Sequence, residues 1–254
     1  MTLYDKNGNL FDTSKFVDSM VAGDRKKEIN EGKKTIKSIF LEDQNETLLK
    51  IFTVDNDGDK VIGNHYISKT TFDILKEVNN PNIVKLFDYY YFDNFGKYQI
   101  DAYTMEKVRS RKEDLLSEDK AILLDYLSDL QKLAKVLTNK KIRMQDTNGA
   151  NLIFTNVGPV VVDLDFYYKK ALIFKNELET ENKAAALDYF KNYAINNYLN
   201  LYDDEDKDEY TRKMNDLYGI FAMRINSNTD IVKEVDKNLN EYSISKQLKL
   251  KRTN

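Results

Sequence analysis

Three polar residues stand out by type and spacing: Asp146, Asn151 and Asp163. They lie in IRMQDTNGANLIFTNVGPVVVDLDFYY, residues 142–168, where a polar loop runs into two short apolar stretches. Asp146 and Asn151 are five positions apart, separated by TNGA. The glycine allows a tight turn that presents a carboxylate and an amide to one cavity. The order NLIF, TNVGP, VVVD predicts a β-hairpin whose second strand returns Asp163 to the side of Asn151. A carboxylate and an amide oxygen held together are hard ligands suited to Mg²⁺. Asp146 would then be available to orient or deprotonate a hydroxyl. The same residues also fit a polar Asx-type turn leading into a purely structural hairpin.

The rest of the chain must supply the elements that hold these groups. TIKSIFLE and TLLKIFTV, joined by the polar DQNE, predict an antiparallel hairpin over residues 35–54. A short helix is expected in SKTTFDILKEVNN, with Ser68 as N-cap and Phe72, Leu75 and Val78 at helical spacing. The only prolines, Pro81 and Pro159, mark corners. NIVKLFDYYYF and KYQIDAYTMEKV predict two further strands with a glycine-containing turn between them, the tyrosines at 89–91 packing with polar tips. The second half reads as mainly helical. Leu123, Leu127, Leu130, Ala134 and Leu137 step by four and three along SEDKAILLDYLSDLQKLAKVLTNKK, capped by Ser117. NKAAALDYFKNYAINNYLNLY and DEYTRKMNDLYGIFAMRI predict further helices. The acidic DDEDKDE reads as a solvated loop, and SKQLKLKRTN as a fraying or weakly basic tail. This order is α+β in two lobes: a β-rich unit over 1–106 and a helical unit over 107–254.

Composition narrows the chemistry. With no cysteine among 254 residues, disulfides and thiolate metal sites are excluded. One histidine, His65, leaves no multi-histidine metal site, and its surroundings suggest an ordinary loop or helix-entry residue. A net charge of −3 gives no global attraction to nucleic acid, so no nucleic-acid partner is expected. No apolar run reaches the roughly 20 residues needed to span a bilayer. MTLYDKNGNLFD lacks the order of a signal peptide, so a cytoplasmic protein is the expectation.

Five segments in order resemble the protein kinase superfamily, in an atypical or degenerate, bacterial-type form. TLLKIF is similar to the strand bearing the V-A-I-K lysine, with Lys50 in that lysine's place. ILKEVNNPNIVKLFDYY resembles the end of the family's N-terminal helix and the corner after it, and YTMEKV resembles the hinge between lobes. MQDTNGAN supplies Asp146 and Asn151 at the spacing of the catalytic loop H-R-D-x-x-x-x-N. VVVDLDF supplies Asp163 where D-F-G is expected, one residue early.

The resemblance implies a two-lobed protein kinase-like fold binding ATP and Mg²⁺ between its lobes. Lys50 would contact the α- and β-phosphates, and Gly32, Leu48, Met105, Glu106 and Val108 would line the nucleotide. Asn151 and Asp163 would hold Mg²⁺, and Asp146 would act on the hydroxyl of a protein or small-molecule acceptor. Several positions depart from the family pattern. Only Gly32 stands in the glycine-rich loop, beside Lys33 and Lys34. Leu48 replaces an alanine, Thr71 stands where a glutamate pairs with the lysine, Met144 and Gln145 precede the aspartate, and Asp165 replaces a glycine. A pseudokinase that binds or scaffolds without turnover is the alternative these departures raise, with a small-molecule kinase as a third.

Overall fold

A computed structural model of the chain describes residues 3–4, 8–11, 16–17, 37–43, 47–53, 67–92, 101–110, 120–164, 166–168, 175–198, 204–225, 227 and 230–252. Gly32, Lys33, Lys34, His65, Ser117, Asp165 and the glycine-containing turn over 93–100 lie outside the described residues. The chain divides into two compact units, one of residues 1–79 and 84–108, the other of residues 80–83 and 109–254.

The first unit is built on a seven-stranded antiparallel sheet in the order β2-β1-β6-β7-β5-β4-β3. Its strands are β1 (Leu3–Tyr4), β2 (Leu10–Phe11), β3 (Phe16–Val17), β4 (Lys37–Asp43), β5 (Thr47–Thr53), β6 (Leu86–Phe92) and β7 (Asp101–Glu106). The predicted hairpin is β4–β5, paired from Lys37↔Thr53 to Glu42↔Leu48. Consecutive strand residues point to opposite faces, yet Leu49 and Lys50 are both buried, as are Ala102 through Met105 on β7. These central strands are therefore covered on both faces. The three short strands β1–β3 carry too few residues to show alternation in the sequence.

The helix α1 (Lys69–Lys76) has the predicted cap, since Ser68 Oγ accepts from Thr71 N at 3.2 Å. Phe72, Leu75 and Val78 are buried as their spacing requires. The Phe72 ring lies 5.1 Å from Tyr89 and 5.7 Å from Tyr103, which docks the helix on β6 and β7. Tyr89 and Tyr90 are buried, and the Tyr89 hydroxyl donates to Ile67 O at 3.1 Å.

The second unit contains α2 (Lys120–Asn139), α3 (Lys175–Tyr198), α4 (Asp204–Arg224) and α5 (Ile231–Arg252). Between α2 and α3 run β8 (Ile142–Arg143), β9 (Leu152–Thr155), β10 (Gly158–Val161) and β11 (Tyr167–Tyr168). On α2, Leu127, Leu130, Ala134 and Leu137 are buried as predicted, while Leu123 is half-buried. The predicted hairpin is β9–β10, in register Gly158↔Thr155 through Val161↔Leu152. Phe154 of β9 lies between Tyr126 of α2, at 4.1 Å, and Tyr193 of α3, at 4.0 Å, so the hairpin is wedged between two helices. The Pro81 corner also belongs to this unit. Asn82 Nδ2 donates to Pro159 O at 2.8 Å, Val161 N donates to Asn82 O at 3.0 Å, and Ile83 bridges Val161. Gly158 has φ +120°, and a Cβ there would sit 3.3 Å from Asp129 Oδ2, so this turn requires glycine.

Two expectations are corrected here. The acidic stretch read as a solvated loop is helical from Asp204 onward, forming the start of α4. Acidic residue types in the first turn of a helix interact favourably with the positive end of its dipole, which favours helix over loop. The segment read as a fraying tail continues α5 to Arg252. That helix is preceded by Asp230, whose Oδ1 accepts from Lys233 N at 3.3 Å. Among the described residues, no helix is long and apolar enough to cross a membrane. The architecture is α+β: an antiparallel N-terminal sheet carrying one helix, followed by a mainly helical unit, as the sequence implies.

Candidate active site

The loop carrying Asp146 and the loop carrying Asp163 are closed into one frame. β8 precedes the first, β11 follows the second, and the two pair through Tyr167↔Arg143 and Tyr168↔Ile142. The β9–β10 hairpin joins the other ends. Val162 N donates to Asn151 O at 2.9 Å, which brings Asp163 next to the residue paired with Asn151. Asn151 Nδ2 donates to Asp146 Oδ2 at 2.8 Å and to Asp146 O at 3.1 Å. Asp146, Asn151 and Asp163 are thus gathered in one region of the second unit. Asn148 adds the Asx-type turn that the sequence also allowed, its Oδ1 accepting from Ala150 N at 3.0 Å. The turn and the paired polar site coexist in the same loop.

The donor set suits Mg²⁺. With Asn151 Nδ2 directed to Asp146, the Asn151 amide oxygen and the Asp163 carboxylate are the groups that could hold a cation. No cluster of three or more His, Cys, Asp or Glu side chains fit to hold a metal occurs among the described residues. One carboxylate and one amide is the sparse protein contribution that Mg²⁺ accepts when phosphate oxygens and water complete its shell.

Helix α3 holds the Asp146 loop. Asn182, fully buried, accepts from Met144 N at 2.9 Å and donates to Ile142 O at 2.8 Å and to Thr138 Oγ1 at 3.0 Å. The Tyr189 hydroxyl donates to Gln145 O at 3.1 Å, and Asn192 Nδ2 donates to Thr147 O at 2.7 Å. Thr147 Oγ1 donates to Asp188. Arg143 and Glu181 pair at 3.3 Å beside them. Sequence reading missed these α3 residues. The available signal was the repeat of Asn182, Tyr189 and Asn192 on one helical face, the face that also carries the apolar Ala186.

Met144 and Gln145, where the kinase pattern has histidine and arginine, act through their backbones, and the Met144 side chain is buried. Leu164 and Phe166, flanking position 165, are buried too.

In the first unit, Lys50 is only 1% exposed, and its Nζ lies 5.9 Å from the Tyr103 ring centroid. A buried ammonium is costly without compensating partners, and the ring face supplies part of that compensation. Leu48 and Met105 are cross-strand partners. Glu106 is fixed by its backbone N donating to Lys85 O at 2.9 Å and its Oε1 accepting from Lys85 N at 2.8 Å. Val108 is half-buried at the end of this unit. Thr71 is fully buried, and its hydroxyl is 2.9 Å from Ser68 Oγ.

No protein-family model and no curated protein matches the chain. Similar solved structures include the PAN3 pseudokinase of Neurospora crassa, at 12% identity and TM-score 0.47, and a mutant of it at 13% and 0.47. A complex of Neurospora crassa PAN2 (WD40-CS1) with PAN3 (pseudokinase and C-term) is similar at 12% and 0.47. Each similarity covers 98% of this chain and 70% of the other.

Proposed function

We propose that the chain is an atypical phosphotransferase of protein kinase-like fold, moving the γ-phosphate of ATP to a hydroxyl, in the first instance that of a protein serine or threonine. The observation that carries this reading is the Asp146–Asn151 pair, held by its own hydrogen bond in a loop clamped by α3, with Asp163 returned beside it. Asp146 orients the acceptor and takes its proton. The acceptor oxygen bonds to the γ-phosphorus as the bond from that phosphorus to the ADP oxygen breaks. Asn151 and Asp163 would hold Mg²⁺, which would supply neutralisation of phosphate charge. Lys50 is assigned to the α- and β-phosphates, and Gly32, Leu48, Met105, Glu106 and Val108 to the nucleotide. Catalysis of this kind consists chiefly of positioning and charge neutralisation.

Thr71 favours a second reading, a pseudokinase that binds nucleotide or scaffolds without turnover. A neutral hydroxyl engaged with Ser68 stands where a carboxylate is expected to complement the lysine. Thermal unfolding with Mg-ATP separates the readings in stages. Mg-ATP is expected to raise the melting temperature, and Asp163→Ala to remove the Mg²⁺-dependent part of that rise. No stabilisation at millimolar Mg-ATP would sink the phosphotransferase. Stabilisation with no transfer to peptide, protein or small-molecule hydroxyls favours the second reading. Transfer to small molecules alone would replace the protein acceptor.

A further inference from the structure

Among the described residues, Asp188 is a charged α3 side chain that hydrogen-bonds to the Asp146 loop. It accepts a hydrogen bond from Thr147 Oγ1, on the residue directly after Asp146. Its other oxygen pairs with Lys191 Nζ at 3.2 Å, one helical turn along. Lys191 lies 4.3 Å from the Tyr218 ring centroid on α4. Burial, and secondarily the Asp188 charge, pushes the Tyr218 phenol up, so Lys191 meets an uncharged ring. The Asp188 carboxylate is therefore fixed by a cation that is itself seated against a second helix.

Asp146 has φ +48°, in the left-handed region. For a residue other than glycine this conformation is disfavoured and persists only where the surroundings impose it. The imposing contacts are on both sides. Tyr189 holds Gln145 O, Asn192 holds Thr147 O, and Asp188 holds the Thr147 hydroxyl. The last of these is the one that a single side-chain change on the loop can remove.

We propose that Asp188 is a positioning residue: through the Thr147 hydroxyl it holds Asp146 in the left-handed backbone conformation that aims its carboxylate at the acceptor. The inference rests on the phosphotransfer reading and adds to it a determinant of turnover that touches neither nucleotide nor metal.

Thr147→Val and Asp188→Leu each remove the contact, and Thr147→Ser keeps it. Small misplacement of a catalytic group costs up to about a hundredfold in rate, so each of the first two is expected to lower kcat about ten- to a hundredfold, with KM for ATP near wild type. Thr147→Ser should restore kcat. The double variant should be no slower than the slower single one, because both delete the same interaction. Hydrogen exchange over residues 144–151 gives a readout that needs no turnover, and it should speed up in Thr147→Val and Asp188→Leu but not in Thr147→Ser. Unchanged exchange in both variants would overturn the proposal, as would an unchanged kcat in an active protein. If the wild type transfers no phosphate, the phosphotransfer reading fails by itself. Faster exchange then still supports the Asp188 contact, and unchanged exchange still refutes it.

Discussion

Asp146→Asn is expected to lower γ-phosphate transfer by about 10²–10⁴-fold, the usual contribution of a positioned general base, while Mg-ATP binding persists. The substitution isolates the chemistry because the asparagine Oδ1 can still accept from Asn151 Nδ2, as the Asp146 carboxylate does at 2.8 Å. The loop contacts at Met144, Gln145 and Thr147 do not involve this side chain. What is lost is the basic oxygen proposed to receive the acceptor proton. Single-turnover ADP formation checks the rate, and a Mg-ATP titration checks binding. A variant that transfers phosphate as fast as wild type would remove Asp146 from the mechanism.

The second large effect is on stability. Asn182→Leu fills similar space but deprives Met144 N and Ile142 O of their partner inside the unit. Each buried group left unsatisfied costs about 1–3 kcal/mol, so the pair amounts to roughly 2–6 kcal/mol. Thr138 suffers less, because its hydroxyl keeps its bond to Ala134 O at 2.8 Å. Against a typical domain stability of about 5–15 kcal/mol this is a large fraction. Chemical denaturation should show the midpoint falling at constant slope. A midpoint within error of wild type would mean that Asn182 does not anchor the loop.

Much of the fold could be read from the sequence wherever one physical signal dominated. The β4–β5 hairpin, the Ser68 cap and the α2 stripe each follow from local pattern. The β9–β10 hairpin and the proximity of Asp146 to Asn151 follow from spacing and a glycine turn. Other features depend on tertiary contacts that no local pattern encodes. β8 and β11 are two residues each, too short for alternation, and exist because they pair with each other. The inward face of α3 carries Asn182 and Asn192 to grip loop backbone and Asp188 to accept from the Thr147 hydroxyl, which breaks the apolar periodicity that normally marks a buried helix. The acidic start of α4 reads as a loop by composition, whereas helix-end electrostatics favour helix there. Burial of Lys50 likewise depends on its central place between β4 and β7, which the strand's own sequence does not specify.

The most direct test of the account follows ATP bearing a radiolabelled γ-phosphate, incubated with Mg²⁺ and excess protein, with and without a serine/threonine peptide mixture. The expected result is Mg²⁺-dependent label on a hydroxyl acceptor with wild-type protein, and almost none with Asp146→Asn. Equal labelling by the two proteins, or no labelling by wild-type protein that binds Mg-ATP, would contradict it.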